Sequence, residues 1–184
     1  MSRQIVKTIY QYDELNESAK ERALGWYAQC VFYHEWWDCI YDDAQRIGLK
    51  IEEFDLNRNR HAKGYLINRM EDVCRAITKA HGKICGTHKL ATQYLELIQG
   101  LKERIEADMS NLDESDESYE DDVYALESEQ EDELAELKDE FEEALLEEYS
   151  VMLQKEAEYM QSREYLEEGI WANEYEFDEH GYIV

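Results

Sequence analysis

His81, Cys85 and His88 form an H-x3-C-x2-H pattern, and Cys74 lies seven residues before the first of them. These are the soft and borderline ligands that gather around tetrahedral zinc. None belongs to a CxxC knuckle, and Cys74 and Cys85 also fit apolar helix positions, so packing is the favoured reading over a zinc site. His34-Glu35-Trp36-Trp37-Asp38 starts like the H-E-x-x-H helix of metalloproteases, but Asp38 stands where the second His is required. Its two Trp residues point to a packed helix junction instead. Asp55, Asn57 and Asn59 open like a calcium loop. Arg60 then takes the place of the required Gly and Leu66 that of the bidentate Glu, so the EF-hand reading fails. The chain has no G-x-S-x-G elbow, phosphate loop or G-x-G-x-x-G turn. The expectation is a protein without enzymatic activity and without a cofactor.

What remains is electrostatic chemistry. Asp113 to Ser150 holds 19 acidic residues against one Lys, Lys138. Residues 1–100 balance 14 acids with 14 Lys and Arg, whereas residues 101–184 set 31 acids against 5, so the net charge of -26 lies wholly in the C-terminal part. Such a surface repels phosphate backbones and anionic lipids, which disfavours direct nucleic-acid or membrane binding by the C-terminal half. It favours basic partners. The basic cluster Arg58, Arg60, His61 and Lys63 reads as a solvated hairpin loop.

Residues 127–148 contain 12 acids and one Lys. On a helix rising about 1.5 Å per residue, that is roughly one net charge per 3 Å. One DNA strand carries a charge per about 3.4 Å. The candidate partner-binding residues are therefore Glu129, Glu133, Glu136, Asp139, Glu140, Glu143 and Glu147.

The elements that position these residues follow from periodicity. Residues 4–10 read as a strand, followed by a helix capped by Asn16 that turns Ala23, Trp26, Tyr27, Cys30 and Val31 to one face. A second helix is expected from Glu35 to Ile47, burying Trp37, Ile40, Tyr41, Ala44 and Ile47 and closed by Gly48. "LKIEEFDL" reads as a strand, "NRNRHAKG" as a turn and "YLI" as a short return strand. Residues 68–80 are helical, with Met70, Val73, Cys74 and Ile77 on one side, and Thr87 is the expected cap of the next helix.

No Gly or Pro lies between Gly100 and Gly169. Leu126, Leu134, Leu137, Phe141, Leu145, Tyr149 and Met152 form a three-four seam, with Gln130 in the vacant place. The acid run is thus a helix with a buried side, which either folds back or projects and pairs. The expected division is a neutral α/β module over 1–100, an acidic connector over 101–122, a long acidic helical region over 123–170 and a C-terminal β-hairpin over 171–184, packed on the N-terminal module. The fold class is α+β and mainly helical: a small antiparallel sheet with a long acidic helix or helical hairpin.

"YQYDELNESAKERALGWY", "IGLKIEEFDL", "HGKICGTHKLATQYL" and "YLEEGIWANEYEFDEHG" resemble an uncharacterised group of small phage and prophage proteins. The resemblance implies a phage product in a bacterial cytoplasm and assigns no activity or site. That compartment agrees with a sequence lacking any run of about 18 apolar residues, with an N-terminus lacking a secretory h-region, and with four cysteines in no CxxC pair, expected to be reduced. The functional expectation is an interaction protein whose acidic helix blocks a basic, nucleic-acid-binding surface of a host nuclease or defence effector. The alternatives are a structural or assembly coiled coil, with a possible homodimer, and a zinc-dependent or small-ligand-binding protein.

Overall fold

A computed structural model describes residues 7–58, 60–113 and 118–184. The protein is a mainly helical α+β fold. Its elements in chain order are β1 (Tyr10–Gln11), α1 (Glu17–Cys30), α2 (Asp38–Ile47), β2 (Leu49–Asp55), β3 (His61–Leu66), α3 (Met70–Ala80), α4 (Gly86–Ser110), α5 (Tyr119–Met160), α6 (Arg163–Ala172) and β4 (Glu176–Phe177). Contacts divide the chain into two units, Met1–Asp38 with Leu153–Val184, and Cys39–Met152. This division differs from the expected neutral module over 1–100, because the second unit takes its core from both sides of residue 100.

In the first unit, Asn16 caps α1 by accepting the Ala19 N–H at 3.0 Å. This satisfies one of the orphan donors of the first turn. Tyr12, Leu15, Ala19, Ala23, Leu24 and Val31 pack with Met160, Leu166, Ile170 and Phe177. A Cβ on Gly169 would lie 2.4 Å from the Tyr27 hydroxyl oxygen, so the bare glycine is what lets α6 approach α1. Tyr10 pairs with Phe177 in an antiparallel sheet, and Phe177 also bridges Ile183 through a turn in which the Asp178 N–H donates to the Tyr182 carbonyl at 2.9 Å. The strand expected over 4–10 begins only at Tyr10; Gln4, Ile5 and Val6 lie outside the described residues.

The second unit has its own two-stranded sheet. Two separate sheets thus replace the single expected one, β1 with β4 and β2 with β3. Helix α2 starts at Asp38 and not at Glu35, since His34 is extended and ends a 3-10 turn over Val31–Tyr33. Gly48, at φ +93°, closes α2 as the sequence implies. Strand β3 begins at His61, inside the expected turn. Gly64 allows this: a Cβ there would sit 1.9 Å from the Lys50 carbonyl oxygen on the paired strand.

Helix α4 overruns the expected connector at residue 101, because Ala91, Tyr94, Ile98, Leu101 and Ile105 continue one three-four face through Gly100. Its N-cap is Cys85; Thr87 is buried and binds His81. At the other end of the expected 101–122 connector, α5 already begins at Tyr119, and Glu114–Glu117 lie outside the described residues. The expected helical region over 123–170 is two helices, α5 and α6, parted at Gln161–Ser162, where the Ser162 Oγ accepts the Tyr165 N–H.

Candidate interaction surface

Helix α5 folds back on its own unit through the middle of the expected seam. Phe141, Leu145 and Tyr149 are fully buried in one core with Ala44, Ile47, Leu49, Val73, Ile77, Tyr94 and Ile98. Leu134, Leu137 and Met152 are half-buried against that core, while Leu126 is half-buried outside it. The buried line then continues at Leu153, Ala157 and Met160; the expected seam misses it by stepping three residues from Tyr149 to Met152, where the buried face steps four to Leu153.

Anchoring one side of α5 fixes where its carboxylates point. Glu129, Asp132, Glu136, Asp139, Glu143 and Glu147 recur at spacings of three and four, the helical signature of one stripe opposite Leu134, Leu137 and Phe141. Several expected partner-binding residues have internal work. Arg104 reaches Glu133 at 2.5 Å and Glu129 at 3.5 Å, and its hydrogen bond to Glu133 pushes the guanidinium pKa further up. Arg60 pairs with Glu147 and donates from Nε to the Ser150 Oγ at 3.1 Å. Lys138 pairs with Asp139 at 3.0 Å, which raises its ammonium pKa first through that hydrogen bond.

The basic loop is therefore partly spent inside the protein: Arg60 neutralises α5 and Lys63 pairs with Glu53. Asp55 turns that loop by accepting the Asn57 N–H at 2.7 Å. Among the described residues, no Lys, Arg or His nitrogen lies within 4 Å of Glu127, Glu131, Asp132, Glu136, Glu140 or Glu143. Subtracting Arg60 and Arg104 from the net 11 charges of residues 127–148 leaves nine. Over 22 residues that is about one per 3.7 Å, still close to the spacing of about 3.4 Å along a DNA strand.

The possible zinc ligands are dispersed. Cys74 is fully buried in α3, and burial followed by the charge of Glu71 pushes its thiol up to about 12, which disfavours the thiolate that zinc requires. Cys85 is exposed at the start of α4, and the His88 Nδ1 stands 3.4 Å from the Thr92 Oγ1. Among the described residues no three His, Cys, Asp or Glu side chains gather as metal ligands. At the junction expected around His34, Trp36 packs edge-on with Phe32 and Trp37.

His81 instead belongs to a polar chain that sequence reading missed. The Tyr149 hydroxyl donates to Asp43 Oδ2 at 2.9 Å, the His81 Nε2 lies 3.3 Å from the same oxygen, and its Nδ1 is 2.7 Å from the Thr87 Oγ1. The His81 Nε2 approach lacks hydrogen-bond alignment. Burial, then the Asp43 charge, pushes the Tyr149 hydroxyl pKa well above its ordinary range. The chain ties α2, the end of α3, α4 and α5 together. One signal for it was present in the sequence: a Tyr at a seam position needs a partner for its hydroxyl.

No helix among the described residues is long and apolar enough to cross a membrane. No protein family, curated protein or solved structure matches this chain.

Proposed function

We propose that the protein is a non-enzymatic, phage-type interaction protein whose acidic α5 face occupies a basic, nucleic-acid-binding surface of a host protein, a nuclease or defence effector, in the bacterial cytoplasm. The observation that carries this reading is the stripe left after internal pairing. Asp132, Glu136, Glu140 and Glu143 keep their charge toward solvent on a helix whose opposite side is locked by Phe141, Leu145 and Tyr149. Fixed charges bind a complementary surface with less ordering cost than charges on a mobile tail. They also speed encounter.

The test is competition. A basic nucleic-acid-binding host protein, recovered by a salt-sensitive pull-down, is expected to bind this protein or duplex DNA but not both. Simultaneous binding of the two would remove the proposal. A second reading, assembly through α5, draws on Leu126 and Val123, which are half-buried apolar residues in the first turns of α5 outside the core cluster. Sedimentation that shows a dimer lost on Leu126→Glu would favour it.

A further inference from the structure

Helices α4 and α5 leave a groove between them, lined by Glu96, Leu97, Gly100, Leu101, Arg104, Glu133, Glu136, Leu137 and Glu140. Its floor is apolar. Leu101 is buried and Leu137 half-buried, but Leu97 is 43% exposed, an uncovered large side chain in the middle of a 25-residue helix. Beside it Gly100 has no atom within 4 Å of where a Cβ would stand. A glycine inside a helix costs up to about 1 kcal/mol relative to alanine. Here no neighbouring atom demands it, and its effect is to leave a gap in the groove wall.

The rim is acidic on both helices, with Glu96 on one and Glu133, Glu136 and Glu140 on the other. Arg104, the cation in the groove, is held by Glu129 and Glu133. We infer that this groove takes a cationic amphipathic helix of the partner, whose Lys or Arg residues meet the glutamates while an apolar side chain seats over Gly100 against Leu97 and Leu137. Charge complementarity selects this occupant: an acidic rim repels an acidic helix and favours a cationic one over a neutral one, and an apolar floor gives nothing to a purely charged strand. The inference rests on the proposed acidic interaction face and names the kind of segment that face receives.

It also separates two modes of recognition. Pure charge mimicry makes the order of residues in a basic peptide unimportant; a groove makes it decisive. The experiment uses the full chain and two synthetic peptides of identical Lys and Leu composition, one patterned with Leu at i, i+3, i+4 and i+7, the other scrambled. The patterned peptide is expected to bind at least about tenfold more tightly, with Gly100→Phe reducing that preference at least about tenfold without altering charge. Leu97→Gln serves as the second variant, and circular dichroism confirms that both variants fold. Equal binding of the two peptides, or a preference unchanged in both variants, overturns the groove. The acidic-face reading is tested apart, by Asp132→Asn and Glu143→Gln, neither of which lines the groove. If those changes leave competition with DNA intact, that reading fails whatever the peptides do.

Discussion

Within the second unit, the stretches of α5 before and after Lys138 are nearly alike in charge and opposite in circumstance. Residues 119–137 hold nine acids and residues 139–152 hold six. In the first stretch Leu126, Leu134 and Leu137 are only half-buried and Tyr124 is 73% exposed. In the second, Phe141, Leu145 and Tyr149 are at 0% exposure, and three of the six acids, Glu142, Glu147 and Glu148, are drawn into structure. Glu142 accepts the Leu66 N–H at 2.9 Å, Glu147 holds Arg60, and the Glu148 carboxylate would meet any Cβ on Gly86 at 2.0 Å. Acid density alone thus does not make a helix a solvated tail. The apolar seam decides, by fixing which carboxylates have neighbours to serve and which are left facing outward.

The sharpest way to break this contrast is to truncate one seam residue on each side of it. Phe141→Ala is expected to cost about 3–5 kcal/mol, the range for a fully buried large side chain. Leu126→Ala is expected to cost less than about 1 kcal/mol, the range for a residue away from a packed core. Denaturant unfolding of both variants measures the difference, and equal losses would abolish the distinction.

A second comparison sets two glutamates of the same helix against each other. Glu142→Ala strips the Leu66 N–H of its acceptor and is expected to cost about 1–2 kcal/mol. Glu136→Ala should stay within about 0.5 kcal/mol. Thermal melts at fixed pH rank them, and a larger loss from Glu136 would mean that the outward stripe carries stability.

Titration sharpens the contrast in a different way. The Tyr149 hydroxyl is raised by burial and by Asp43, so the folded state holds its proton after the unfolded chain begins to lose it at about pH 10. Its contribution is fully present below that value and is lost as pH rises beyond it. Stability should therefore decline as pH rises above about 10, and Tyr149→Phe should flatten that decline. At the acid end, the hydrogen bond from Lys102 holds Glu71 below the usual carboxylate range. Stability from that pair is present above about pH 4.3, the unfolded value, and is lost as pH falls through the lower folded value. Lys102→Met should weaken that dependence. Unfolding curves across both ranges test the two signs.

The smallest expected effect is favourable. Gly100→Ala adds a methyl into open space within α4 and should leave stability unchanged or raise it by up to about 1 kcal/mol. A loss there would show that the groove wall is already closed by something packed against it.

Periodicity made much of this arrangement legible. The burial of Met70, Val73, Cys74 and Ile77, the cap at Asn16, the closing Gly48 and the buried centre of the α5 seam all follow from local rules. What escaped depends on distant chain. Thr87 looked like a cap because Ser and Thr usually cap helices, but His81 claims its hydroxyl. The 101–122 segment reads as a connector because its acids and serines mask Leu101 and Ile105, which are buried on the continuing face of α4. The seven candidate carboxylates were identifiable as a set, yet no sequence rule separates Glu136, Glu140 and Glu143 from Glu129, Glu133 and Glu147, since their difference lies in the reach of Arg104 and Arg60.

Under the proposed function, the outward carboxylates of α5 are the working surface. The most direct test of this is the salt dependence of binding to the DNA-competed host protein, measured for the native chain and for the Asp132→Asn, Glu143→Gln variant. If these charges meet cations of the partner, affinity near 0.1 M salt should fall about fivefold in the variant, as two contacts of roughly 0.5 kcal/mol each imply. The plot of log affinity against log salt should also become shallower. An unchanged affinity with an unchanged slope would contradict the account and move the working surface away from the acidic stripe.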